Sequence, residues 1–262
     1  PVQKVTGIDG GAIPVSLPFS ASGAFGEVLA VQTVPVVHLS FPYNVVNPEY
    51  VVTSTDAGTI TSDGGHVILT TPATGYAEIR SRLAARYIPG QGMMARFTFV
   101  ADRPCRAGVE ALIGAGDDTD QFAFGCCPTC ATDGGATFGV LRRSLGVDNW
   151  TPASSWNGDW GTTPPDITYG RPYQISWQWL GYGEIRYALE SATTGNWVTA
   201  HSIRYAGTAR ETSIANPTLP LHAHVITSGV DGGFVLRLPS ASLLRQGEEP
   251  NGGLRRSYSA SK

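Results

Sequence analysis

The sequence predicts an all-β protein folded as a single antiparallel β-sandwich. Three observations carry that expectation. The first is the stretch from Tyr173 to Tyr205. Tyr173, Ile175, Trp177 and Trp179 alternate with Gln174, Ser176 and Gln178. After Gly181-Tyr182-Gly183 the alternation resumes, with Ile185, Tyr187 and Leu189 on one side and Glu184, Arg186 and Glu190 on the other. After Thr194-Gly195-Asn196 it continues through Trp197, Thr199, His201, Ile203 and Tyr205. Alternation of period two, broken only at glycine turns, marks an antiparallel meander with one buried face. Trp177, Trp179, Tyr187 and Trp197 are therefore predicted core residues, since each large aromatic can bury about 150–250 Å². The second observation is composition. Charged residues make up 15% of the chain, against about 25% in an average soluble protein, while 32 glycines and 18 prolines supply many turns. The third is length. The 262 residues suffice for a full core, and neither an internal repeat nor a domain-scale linker divides them.

Taken in order, residues 1–30 show no amphipathic period, and Gly10-Gly11, Pro14, Pro18 and the run 20–23 make a helix a poor fit. The apolar Val15, Leu17, Phe19 and Phe25 favour an extended arm that orders against a neighbour over a flexible leader. The sandwich is expected over residues 31–246. Its strands start with V-P-V-V-H-L-S-F, Y-V-V-T-S, T-I-T-S and H-V-I-L-T-T, the last two joined by a hairpin at Asp63-Gly64-Gly65. Residues 76–88 fit both a helix and a strand period, and their surroundings favour the strand. Further strands fall at Met93–Val100, in 109–125 on both sides of a turn at Asp117–Asp120, at 137–143, in 217–227 and at 234–238. The polar stretch 247–262, with Arg255, Arg256 and Lys262, is expected to be a flexible C-terminal tail.

A net charge of −3 gives no basic field for nucleic acid, and no run of about 18 apolar residues offers a membrane span. The cysteines Cys105, Cys126, Cys127 and Cys130 suit disulfides, within or between chains, better than zinc. Only Cys127 and Cys130 have the C-x-x-C spacing, and no second such pair exists. Asp117, Asp118 and Asp120 lack the spacing of a calcium loop and fit a hairpin turn. Glycoside hydrolysis needs two carboxylates. Glu184 and Glu190 share a strand face but stand six apart with Arg186 between them, and no E-x-D-x-x-E run occurs, so a hydrolase is set aside. There is no G-x-S-x-G elbow either. His222 and His224 share a strand face without a carboxylate beside them, which favours a structural role over a metal or pH-sensing one. Trp150, Trp156, Asp159 and Trp160 cluster in one loop region. They suit stacking on a sugar, anchoring a protein partner, or plugging the open end of the core.

Six phrases in sequence resemble a family of virion proteins from tailed bacteriophages, with relatives in large DNA viruses. They are R-Y-I-P-G-Q-G-M-M-A-R-F-T-F (86–99), I-G-A-G-D-D-T-D-Q-F-A-F-G (113–125), F-G-V-L-R-R-S (138–144), W-T-P-A-S-S-W-N-G-D (150–159), W-L-G-Y-G-E-I-R-Y (179–187) and N-P-T-L-P-L (216–221). The chain departs from the pattern at Cys126-Cys127-Pro128-Thr129-Cys130, where a short polar turn is expected. The resemblance implies a lectin-like sandwich of the jelly-roll or concanavalin type. It also implies a structural, non-enzymatic virion component without a cofactor, assembled in a host cytoplasm as a homo-oligomer bound to other virion proteins. A receptor- or glycan-binding module of a tail fibre or baseplate is the alternative. Because Cys126 and Cys127 point to opposite sides of an extended chain, one is expected to pair within the chain, with Cys105 or Cys130, and the other between chains.

Overall fold

The computed structural model of the chain describes residues 3–6, 12–15, 33–41, 49–130 and 136–247. The expected tail lies outside the described residues apart from Gly247, and so does the arm apart from two short strands. These are β1 Gln3–Thr6 and β2 Ala12–Val15, paired antiparallel with Gln3 opposite Val15. The chain divides into two units, Pro1–Thr33 with Gln246–Lys262, and Val34–Arg245.

The larger unit is an antiparallel sandwich of two sheets, as the alternation predicts. Its strands begin with β3 Thr33–Ser40, β4 Tyr50–Thr55, β5 Thr59–Asp63, β6 His66–Thr71, β7 Gly75–Ala85 and β8 Met93–Ala101. The middle of the chain supplies β9 Val109–Gly116, β10 Gln121–Cys126, β11 Phe138–Ser144 and β12 Val147–Pro152. The last strands are β13 Arg171–Trp177, β14 Ile185–Glu190, β15 Trp197–Ile203, β16 Leu219–Thr227, β17 Phe234–Leu238 and β18 Ser240–Gln246. One sheet has seven strands in the order β12-β11-β10-β9-β16-β7-β4. The other runs β15-β14-β13-β8-β17-β6-β5, with β18 pairing β8 and β3 pairing β18. Between β5 and β6, Gly64 and Gly65 both take positive φ (56° and 81°), the backbone of a primed two-residue hairpin.

The core lies between the sheets, aliphatic for the most part around a cluster of aromatic rings. Tyr173 stacks on Phe99 with ring centres 4.4 Å apart and meets Phe97, Phe124 and Phe138. Trp177 is buried against Phe122, and Tyr187 against Phe124. The hydroxyl of Tyr187 donates to the Leu141 carbonyl across the sandwich, so the ring packs without orphaning its polar end. Trp179 lies past the end of β13, half-buried against Tyr87, with its indole donating to the Ile214 carbonyl.

Trp197 is a correction. It is 36% exposed and outside the core. The cause is a β-bulge. Tyr187 faces His201 but Ala188 faces Thr199, so Ala200 is an extra residue in β15. One inserted residue reverses the facing of everything before it. Ala200 is buried instead, and Trp197 turns outward opposite Glu190. Two strands also went unanticipated, β12 in the stretch read as a loop and β18 before the tail.

Candidate functional site

The seven-stranded sheet sends one set of side chains into the core and the other onto its outer face. On β7, Ala77 and Ile79 point inward, so Tyr76, Glu78 and Arg80 share the outer face. The same alternation puts His222 and His224 of β16, Glu110 and Leu112 of β9, and Gln121 and Ala123 of β10 beside them. In register, His224 stands between Glu78 and Leu112, and His222 between Arg80 and Gly114. Gly114 lets the neighbouring strand approach: a Cβ there would run into the Phe122 carbonyl oxygen.

The result is a polar cluster of two carboxylates and two imidazoles, all nearly buried (Glu78 6%, Glu110 7%, His222 2%, His224 3% exposed). The two rings are 4.9 Å apart. His224 Nε2 lies 3.0 Å from Glu110 Oε1, and the Thr129 hydroxyl donates to the other Glu110 oxygen at 3.2 Å. His222 Nε2 lies 3.0 Å from Glu78 Oε1, an ion-pair distance without hydrogen-bond alignment. Gln121 Nε2 sits 2.9 Å from His222 Nδ1. With the Gln121 amide donating, the His222 proton belongs on Nε2, facing the Glu78 carboxylate. That tautomer is assigned from the network.

Charge follows from these contacts. Desolvation holds His222 below the usual histidine range against the pull of Glu78, so it is neutral at pH 7. The His222 ring is the main cause that holds Glu78 down at about 2, against the cost of its burial. Burial pushes Glu110 up, but His224, Arg143 and Thr129 together outweigh it and leave Glu110 below the ordinary range. Tyr76, half-buried at the rim, is raised by desolvation and by its hydrogen bond to Glu78, and its ring stacks on His224 at 6.4 Å. Tyr76, Arg80 and the exposed Thr53, which pairs with Glu78 across β4, form the accessible rim. The cluster therefore offers ionised acceptors and a phenol, groups that bind hydroxyl-bearing ligands. Glycoside cleavage there would need one carboxylate to take up a proton first.

The cysteine expectation resolves locally. Cys126 faces the main core and bonds to Cys105, with Cα atoms 5.7 Å apart. Cys127 faces the outer side, in a small apolar cluster with Leu112, Ala123 and Leu141, and bonds to Cys130 at a Cα separation of 5.4 Å. No cysteine is left free, so the expected bond between chains is replaced by a second bond within the chain. Cys127, Cys130 and Asp148 bring ligand-type atoms within 4.8 Å of one another. The two sulfurs are bonded together, however, and zinc takes thiolates. Asp117 is a turn residue, its Oδ1 accepting from the Thr119 and Asp120 amides and the Thr119 hydroxyl.

The aromatic loop does not gather its residues into one contact. Trp156 is buried against Phe124 and Phe138 and closes the core. Trp160 carries the Arg171 guanidinium at 4.9 Å. Trp150 packs on the outer cluster with Leu141 and Cys127. Asp159 is exposed. Sequence reasoning noticed the histidine pair but missed its carboxylates, which come from strands far away in the chain.

No protein-family model and no curated protein matches the sequence. Solved structures do match the fold. An endo-1,3-beta-glucanase from Streptomyces sioyaensis is 10% identical, aligns over 89% of this chain and 100% of its own, and has a TM-score of 0.57. A glycosyl hydrolase family protein from Mycobacterium fortuitum is 9% identical over 80% and 99%, with a TM-score of 0.55. Peanut lectin is 12% identical over 82% and 97%, with a TM-score of 0.52. The expectation of a non-enzymatic chain is overturned. It rested on the family resemblance and on finding no acid pair along one strand, whereas the fold brings Glu78 and Glu110 onto one face from two strands, in an architecture shared with a glucanase. At these identities the likeness is one of fold: the larger unit is a jelly-roll sandwich of the kind found in lectins and endo-1,3-beta-glucanases.

Proposed function

We propose that this chain is a carbohydrate-recognition sandwich that binds its ligand on the outer face of the seven-stranded sheet. The observation that carries this reading is the Glu78–His222–His224–Glu110 cluster, two ionised acceptors held in place by histidines beneath a rim of Tyr76 and Arg80. Support comes from the glucanase and the lectin that share the architecture. A glycan array probed with the full chain, followed by calorimetry on the best ligand, tests the reading. Glu78→Gln is expected to weaken binding at least about tenfold, the usual range for losing a hydrogen bond to a charged group. Release of reducing ends from β-1,3-glucan, measured in parallel, reports whether the same site also cleaves. A chain that binds no glycan and releases no sugar would sink the reading.

The setting we propose is the surface of a tailed-bacteriophage particle, among other virion proteins and as a homo-oligomer. It rests on the six phrases between residues 86 and 221. Mass spectrometry of purified particles tests it, and absence from them would remove the setting while leaving the glycan reading intact.

A further inference from the structure

The outer face of the opposite sheet carries a groove of about 360 Å³ that crosses β3, β18, β8 and β13. Its floor centres on Arg96. In register, Arg96 stands between Gln174 of β13 and Ser242 of β18. Its Nε donates to Gln174 Oε1 at 2.9 Å, and its guanidinium lies 5.2 Å from the ring centre of Trp197. Trp197 reaches this position because the β15 bulge turned it outward. Nε and the ring plane are thus engaged, while the two terminal amino groups have no hydrogen-bond partner among the described residues. A guanidinium held this way is a preorganised fork for a carboxylate. The rest of the lining suits hydroxyl groups: His38, Ser40 and Ser242 stand along the groove, and none of the described lining residues is acidic.

We propose that this groove is a second binding site, for an acidic saccharide whose carboxylate sits on Arg96 and whose ring hydroxyls meet the serines and His38. The site is independent of the cluster on the seven-stranded sheet and does not need that cluster to be functional. Terminal sialic acids and uronic-acid chains both carry the required carboxylate. The test titrates the full chain with sialyllactose, with tetragalacturonate and with neutral lactose, by calorimetry and by following the Trp197 indole N–H resonance, assigned with Trp197→Phe. At least one acid is expected to bind at least tenfold more tightly than lactose and to move the Trp197 signal, and the better acid identifies the source. Arg96→Ala is expected to cost at least tenfold in that affinity with an unchanged melting temperature, since Arg96 is exposed. The signal in the unmutated chain keeps the test decisive if that variant folds poorly. Equal affinity for lactose, no binding of either acid, a silent Trp197 resonance, or full affinity in folded Arg96→Ala overturns the proposal.

Discussion

Burying His222 against Glu78 makes the folded chain sensitive to acid. His222 is held below its usual range by desolvation, while an unfolded histidine titrates near about 6.5. Between those two values the unfolded chain binds the extra proton, so stability falls as pH drops through about 6.5. Desolvation depresses His201 in the same direction, and the two add. Glu78 contributes a second loss at lower pH. Held at about 2, mainly by His222, it stabilises the fold above the ordinary glutamate value of about 4.3, and that contribution disappears as pH falls toward 2. Melting temperature measured from pH 7.5 to 3 should therefore fall in two steps. His222→Gln, which keeps an amide in the imidazole's place, should shrink the upper step and leave only the share of His201. An unchanged upper step would mean that His222 titrates alike in the folded and unfolded chain and adds nothing to the acid sensitivity. At this scale little of the site could be read from sequence. His222 and His224 announce themselves by spacing, but Glu78 and Glu110 are recruited by the pairing of β7 and β9 on either side of β16. A pattern along one strand carries no information about which strands become neighbours.

Strand elements were the most readable part of the molecule, because one buried face imposes a period of two. The order of inward residues in β13 and β14 is the one that the alternation predicts, and Trp177 is 3% exposed. Trp177→Ala should cost about 3–5 kcal/mol, the range for emptying a large buried aromatic site. A loss under about 1 kcal/mol in chemical denaturation, the level of a surface change, would put that face of β13 outside the core. Failures at this scale have local causes. The bulge at Ala200 switches the phase of β15 in mid-strand, and no turn residue signals it. Strand β12 was missed because its residues are largely exposed or half-buried on an edge, so burial does not discipline their sequence. Strand β18, S-A-S-L-L-R-Q, alternates well, but only Pro239 separates it from β17, and both strands run along β8 with no reversal between them.

The larger unit is tied across its layers as well as along its sheets. Cys105, in the connection that crosses from β8 of one sheet to β9 of the other, bonds to Cys126 at the end of β10, so the bond pins that crossover to the seven-stranded sheet. The bridged residues are 21 apart, and closing a loop of that size restricts the unfolded chain by about 3 kcal/mol. Cys105→Ser with Cys126→Ser should lose about that much in chemical denaturation, while the oxidised parent runs as a monomer band on a non-reducing gel. A disulfide-linked dimer band would contradict the pairing within the chain.

The back-to-back placement of Cys126 and Cys127 has a consequence for how the chain reaches its final form. Neighbouring residues of a strand face opposite ways, and here each has a partner waiting on its own side. If β10 slid by one residue against β9 and β11, the two thiols would trade sides, and Cys126 would face away from Cys105, beyond the few ångströms that a disulfide can span, whereas Cys127 and Cys130, three residues apart, would still meet. Oxidation thus works as proofreading. The Cys105–Cys126 bond closes only on a chain whose interior strand has been laid down in the right frame, and a slipped chain is marked by the two thiols it leaves unjoined.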